Sequence, residues 1–305
     1  MTLDQCEGAL LGLALGDAMG APFEGGIVER CVWRLIGKAK QGRRRWTDDT
    51  QMSLDLAESL IANGTVMQDD LAQRFAASYR WSRGYGPGAA RLLKRIARGA
   101  DWRDANRAIY PDGSYGNGAA MRAPIVGLFY ADRAGERSQA ARDSAVITHA
   151  HPLGIEGAVM IAAVTARAVR SGVPNELLAT AGAVCRADVF LERLDVARRW
   201  IETEQSPSAN QVARELGNGI AAAESCVTAV YVAARFMRDS FADMQSFIAA
   251  CGGDVDTIGA MAGAIWGAAN GAESLPPDQL HMLEQCERIR KVAGDLFATK
   301  PVDGL

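Results

Sequence analysis

Two clusters of oxygen donors lie far apart in the chain, Thr47-Asp48-Asp49-Thr50 and Asp254-Val255-Asp256-Thr257, and each opens an apolar-periodic stretch. Four carboxylates brought into one site would repel one another and resist burial unless cations neutralised them. Asp and Thr are also ordinary N-cap residues, and Asp48 has Gln51 three positions on, so either cluster alone reads as a helix cap. A third element changes that reading: the glycine-rich turn Gly113-Ser114-Tyr115-Gly116-Asn117-Gly118, continuing through Ala119-Ala120-Met121-Arg122 into a helix. Such a turn offers backbone N–H groups and a helix dipole to an anion, usually a phosphate. Acid pairs for metal ions beside a phosphate cradle imply chemistry on a nucleotide-like substrate.

These groups need elements to hold them. A shared site requires both acidic clusters to belong to one folding unit, so residues 1–305 are expected to form a single domain, although length alone suggests about two. Helical period dominates: Leu3, Cys6, Leu10 and Leu13; Met52, Leu56 and Leu60; Leu71, Phe75 and Tyr79; Ile258, Met261, Ile265 and Ala269. Strand-like alternation is hard to find, and the expected class is all-α, a compact multi-helix bundle. Asn63-Gly64 should end one helix, Pro87 should begin another, and Pro276-Pro277 should precede the last. Gly8, Gly12 and Gly16 recur every four residues, as do Gly259, Gly263 and Gly267. Each glycine costs a helix about 1 kcal/mol relative to alanine, so two such stripes imply compensation by close packing of the two helices near the site.

Composition narrows the function classes. A formal net charge of −3, with basic runs broken by acids, does not suggest nucleic-acid binding. Arg43-Arg44-Arg45 reads as a solvated loop face. Cys6, Cys31, Cys185, Cys226, Cys251 and Cys286 form no CxxC pair and read as free buried thiols of a reducing cytoplasm. The apolar run from Ala9 to Ala21 is interrupted by Asp17 and lacks a basic flank, and no run reaches about 18 residues, so a soluble cytoplasmic protein without a membrane span is expected. The segments 25–45 and 203–219 read as surface loops, the first as a rim of the cleft.

Taken together, five segments resemble the ADP-ribosylglycohydrolase family: Gly8 to Gly20 with Glu24, Trp46 to Ser53, Ser114 to Arg122, Thr148-His149-Ala150-His151-Pro152, and Gly252 to Gly259. They follow the family's order. Residue by residue, the resemblance implies Thr47, Asp48, Asp49, Asp254, Asp256 and Thr257 as ligands of two magnesium or manganese ions in a binuclear cleft. Hard oxygen donors without histidine or cysteine favour such ions over zinc, and two ions bridged by one aspartate would balance this many carboxylates better than one. The resemblance also places Glu24 over the metals and His149 near the ribose or phosphates. Asp17 reads as a buried acid behind the ligands.

The implied activity is hydrolysis of the bond between the distal ribose of ADP-ribose and a modified side chain or related adduct. Its partner would be an ADP-ribosylated protein or small ADP-ribosyl substrate. Phosphate would lie on the Ser114 to Gly118 backbone, with Asn117 adding a donor and Tyr115 flanking the adenosine end. Either Glu24 or Asp256 would move the proton of the leaving group. Relatives that release arginine tend to carry aspartate where Ser114 stands, so arginine and serine linkage both remain open. Two rivals are a catalytically silent binder or structural protein of the same fold, expected to lose ligands, and a helical isoprenoid synthase, which usually carries DDxxD where this chain has Met52 four after Asp48.

Overall fold

The computed structural model describes residues 1–25, 33, 35–39 and 42–301. Cys31 and much of the expected rim loop 25–45 lie outside the described residues. The described α-helices begin with α1 (Leu3–Gly20), α2 (Asp48–Asn63), α3 (Gln68–Ser78), α4 (Pro87–Ile96), α5 (Trp102–Ile109), α6 (Ala123–Phe129), α7 (Ala134–Ala145) and α8 (Pro152–Ala168). They continue with α9 (Pro174–Val184), α10 (Asp188–Glu202), α11 (Ala209–Glu215), α12 (Ala222–Arg235), α13 (Phe241–Cys251), α14 (Val255–Asn270), α15 (Pro277–His281) and α16 (Cys286–Thr299). Among the described residues β-structure is confined to isolated bridges such as Gly116 with Ala221, so the all-α expectation holds.

The centre of the bundle is the pair α1 and α14. Both are buried on all sides, α1 from Gly8 to Ala18 and α14 from Val255 to Ala268, which is why neither shows a polar face. The glycine stripes meet face to face and run antiparallel: Gly8 lies on Gly267, Gly12 on Gly263 and Gly16 on Gly259. A Cβ placed on Gly8 would stand 2.5 Å from the Gly267 carbonyl oxygen, far inside van der Waals contact. The register continues to Gly20, where a Cβ would stand 2.5 Å from Asp256 Cα. Close backbone approach therefore brings the end of α1 against the first turn of α14. α2, α8, α12 and α13 pack around α14, and α16 closes over α1 and α2.

Local punctuation follows the residues. Gly64 ends α2 in the left-handed conformation at φ 69°, and Pro87 opens α4. Three expectations need correction. Pro276-Pro277 opens only the five-residue α15, and the last helix starts at Cys286. Within 203–219, α11 packs Val212 and Leu216 fully inside, so this segment is only partly a surface loop. The Arg43 to Arg45 segment is half-buried, because Arg44 donates its N–H to the Met282 carbonyl (2.6 Å) and accepts from Glu284 N–H (3.0 Å). Cys6, Cys185, Cys226 and Cys251 are buried free thiols, whereas Cys286 is half-exposed.

Candidate active site

The first acidic cluster is fixed from both sides. Trp46 is fully buried beneath the Arg83 guanidinium, 3.5 Å from its ring centroid, and Arg83 also pairs with Glu284. Glu284 in turn accepts the Trp46 N–H (3.0 Å), so this strap enters α2 at a set angle. The N-cap of α2 is Thr47, not Asp48: Thr47 Oγ1 accepts the Asp49 N–H at 3.3 Å. Asp17, fully buried near the end of α1, accepts from Thr47 N–H (2.9 and 3.0 Å), Thr50 N–H (3.0 Å) and Thr50 Oγ1 (2.5 Å). That carboxylate therefore satisfies the N-terminal amides of α2 and leaves Asp48 and Asp49 available to the cleft.

The second cluster depends on backbone freedom just before it. Gly252 and Gly253 both adopt positive φ, 66° and 76°, and a Cβ on Gly253 would collide with Asn218. Asp254 is the N-cap of α14, yet its side chain makes no capping hydrogen bond. Instead it accepts from Asn117 Nδ2, which also donates to Ser225 Oγ at 2.9 Å. The rival reading of Asp48 and Asp254 as simple caps thus fails at both helices. Asn117, expected as a substrate donor, has its amide directed at Asp254 and Ser225 and acts as a support for the acid.

The clusters converge. Carboxylate oxygens of Asp17, Asp49 and Asp256 lie within 4.8 Å of one another, and so do those of Glu24, Asp254 and Asp256. Asp256 is common to both groups. Thr257 Oγ1 lies 3.4 Å from Asp49 Oδ2, and Thr47 Oγ1 donates to the same oxygen at 2.8 Å. Glu24 reaches the group because Gly20 touches Asp256 and the turn Ala21–Phe23, with Pro22 in its first positions, redirects the chain there.

Electrostatics at this point oppose the bare carboxylates. Burial, then repulsion from Asp17 and Asp48, raises Asp49 well above the carboxylate range; burial, then Glu24 and Asp49, does the same to Asp256. Burial raises Asp48 and Asp254 as well and lifts Asp17 to about 6. Asp49 Oδ1 is buried without a hydrogen-bond partner among the described residues. An orphaned carboxylate oxygen within a set of hard oxygen donors fits a divalent cation.

Above the acids lies a cleft of about 220 Å³ lined by Glu24, Asp48, Asp49, Asp254, Asp256 and Thr257 on one side and by Ser114, Gly116, Asn117, Gly118 and His149 on another. Met52, Leu92, Tyr110, Met121 and Ile220 supply apolar wall. Thr47 sits behind Asp49 and does not line this cleft, and Tyr115, 57% exposed, packs edge-on against His151 outside it. In the glycine turn the Gly116 N–H goes to Ser114 Oγ (3.3 Å) and the Asn117 N–H to Ile220 O (2.9 Å). A phosphate there would depend on the turn's remaining amides.

Arg122 was visible in the sequence only as the end of a motif, without a role. It is fully buried, donates to the Gly118 carbonyl, Ser144 O (2.9 Å) and Thr148 Oγ1 (2.9 Å), and faces the Phe75 ring at 4.9 Å. Burial lowers it to about 9, which leaves it charged at neutral pH. Burial and this guanidinium push His149 down to about 3, so its ring is neutral. Ser225, Asn218 and Glu284 are further supports that sequence reasoning missed; each acts across more than 30 residues and leaves no local pattern.

The comparisons agree with this arrangement. A family model described as ADP-ribosylglycohydrolase matches residues 1–304. ADP-ribosylhydrolase ARH3 of Gallus gallus is 33% identical, over 95% of this chain and 92% of its own length. The ADP-ribosyl-dinitrogen reductase glycohydrolase of Rhodospirillum rubrum is 28% identical over 98% of each chain. A solved chain titled ADP-ribosylglycohydrolase-related protein complex superposes with a TM-score of 0.72 at 27% identity, covering 98% of this chain and 99% of that one. Sequence, helical architecture and these likenesses lead to one assignment: the chain belongs to the ADP-ribosylglycohydrolase family of glycosidase-type hydrolases.

Proposed function

We propose that this protein hydrolyses the glycosidic bond between the distal ribose of ADP-ribose and a modified protein side chain or related adduct, using two magnesium or manganese ions. The observation that carries the reading is the sharing of Asp256 by two carboxylate groups at the floor of the cleft. Asp49 with Asp256 on one side, and Glu24, Asp254 and Asp256 on the other, are the residues that would hold the ions, with Asp48 and Thr257 beside them. When bound, the ions would neutralise the acids, polarise the ribose hydroxyls and lower the pKa of the attacking water. Asn117 keeps Asp254 oriented, and Asp17 keeps the first turn of α2 in place.

The polypeptide supplies the remaining chemistry. Glu24 and Asp256, whose carboxylate oxygens lie within 4.8 Å of each other at the cleft floor, are the two candidates to move the leaving group's proton. Ser114, the glycine turn and neutral His149 form the wall where phosphates and ribose would bind. The antiparallel α1–α14 pair, drawn from opposite ends of the chain, supports residues 1–305 as one folding unit. Free thiols support a reducing, cytoplasmic location, and no helix among the described residues is long and apolar enough to cross a membrane.

A panel of arginine-, serine- and terminal-phosphate-linked ADP-ribose tests the reading. Release of ADP-ribose from at least one linkage is expected with magnesium, with loss in EDTA and recovery on adding magnesium back. Ser114→Asp should raise the preference for arginine-linked over serine-linked substrate by about 1–3 kcal/mol in specificity, through a charge-assisted contact to the guanidinium. ADP-ribose binding with no release from any linkage would instead establish a silent binder.

A further inference from the structure

Arg122 is a buried cation with no carboxylate within ion-pair distance among the described residues, so its environment is built from neutral acceptors. That is a costly arrangement unless the guanidinium organises those acceptors for something. Its Nη2 donates to Thr148 Oγ1 at 2.9 Å, and Thr148 Oγ1 lies 2.8 Å from His149 Nδ1. A hydroxyl has a single hydrogen. With one of its two lone pairs taken by the guanidinium and no other acceptor for its hydrogen among the described residues, the Thr148 hydroxyl is best satisfied by donating to Nδ1, which is then the unprotonated ring nitrogen. The opposite assignment would aim two donors at one hydroxyl and leave its own hydrogen without an acceptor among the described residues.

The other end of the ring faces the glycine turn. A Cβ on Gly118 would stand 2.6 Å from His149 Cε1, and one on Gly116 would stand 3.4 Å from Nε2. Arg122 Nη1 simultaneously grips the Gly118 carbonyl. One guanidinium thus ties down both the turn and the ring that lies on it. We propose that Arg122, acting through Thr148, is a positioning residue that fixes His149 as the Nε2–H tautomer and so presents a neutral hydrogen-bond donor at the glycine turn. The acceptor is a phosphate or ribose oxygen of the ADP-ribosyl group; this part rests on the hydrolase reading above.

The test is long-range proton–nitrogen correlation of the histidine rings in the ligand-free protein at neutral pH. With only His149, His151 and His281 in the chain, assignment needs a single His149→Ala control. His151 is an internal reference, since its Nδ1 accepts the Leu153 N–H at 3.2 Å. Wild type should show His149 with its hydrogen on Nε2 alone. Thr148→Val, close in shape but without the hydroxyl, should give a mixture of tautomers and weaken ADP-ribose binding about three- to tenfold by calorimetry, the effect of one neutral hydrogen bond. Thr148→Ser should restore both. A hydrogen on Nδ1 in wild type, or an unchanged ring spectrum in Thr148→Val, overturns the proposal, and the wild-type spectrum decides by itself if the valine variant fails to fold. Failure of wild type to bind ADP-ribose, with the Nε2–H tautomer present, would sink the hydrolase reading and the assigned acceptor while the tautomer assignment stood.

Discussion

Asp256→Asn is expected to lower turnover by at least about a thousandfold with the helical fold intact, since the ions it would hold contribute several kcal/mol to transition-state stabilisation. Asp256 is the one side chain common to both carboxylate groups, so its loss should disturb both ion positions at once. The fold should survive for a reason visible in the same cluster. Without a cation, burial and the neighbouring acids Glu24 and Asp49 raise Asp256 well above the carboxylate range, so its charged form is opposed there and a near-isosteric neutral amide relieves repulsion instead of breaking a favourable contact. Stability without magnesium should therefore change little, whereas stabilisation by magnesium should shrink. Saturating-magnesium kinetics and circular dichroism check both halves. Near-normal turnover would remove Asp256 from the reaction.

The second large effect is structural. Gly16→Val should destabilise the protein by about 3 kcal/mol or more, at the upper end of overpacking costs, because its Cβ alone would stand 2.1 Å from the Gly259 carbonyl oxygen across the α1–α14 contact. No flexible side chain is available to yield there; the obstacle is backbone on both sides. Asp17 follows Gly16 directly, so separation of the helices would also shift the acid that supports the first turn of α2. Urea unfolding should show a lower midpoint, with activity reduced even where the protein remains folded. An unchanged midpoint would mean that the helices can slide apart at no cost, which the packing does not allow.

These two residues also mark what a sequence can disclose. The glycine stripes were legible because period four lines one helix face with residues that admit close approach, whereas the register from Gly8–Gly267 to Gly16–Gly259 is what the structure adds. The acid clusters were legible as chemistry only in company: Asp and Thr are ordinary at helix starts, and the glycine-rich turn is what made two caps read as one site. Which atom caps α2 was not, since Thr47, Asp48 and Asp49 all suit an N-terminus and only Asp17, folded in from α1, decides between them. The support that Asn117 gives Asp254 was not legible for a similar reason: its partners Ser225 and Asp254 are more than 100 residues away. Arg122 stood only at the end of a motif, and nothing local announces that Phe75, Ser144 and Thr148 enclose it. Contacts that tertiary structure creates between distant segments leave no periodicity to read.

The central claim, that these carboxylates form a two-cation site joined through Asp256, is tested most directly by counting bound manganese. Calorimetric titration of the wild-type protein, followed by anomalous diffraction from manganese-soaked crystals, should give two ions per chain, about 3.5–4 Å apart with Asp256 between them. Asp256→Asn should hold at most one. A wild-type chain that binds no manganese in this cleft, or an Asp256→Asn chain that still binds two, would contradict the account.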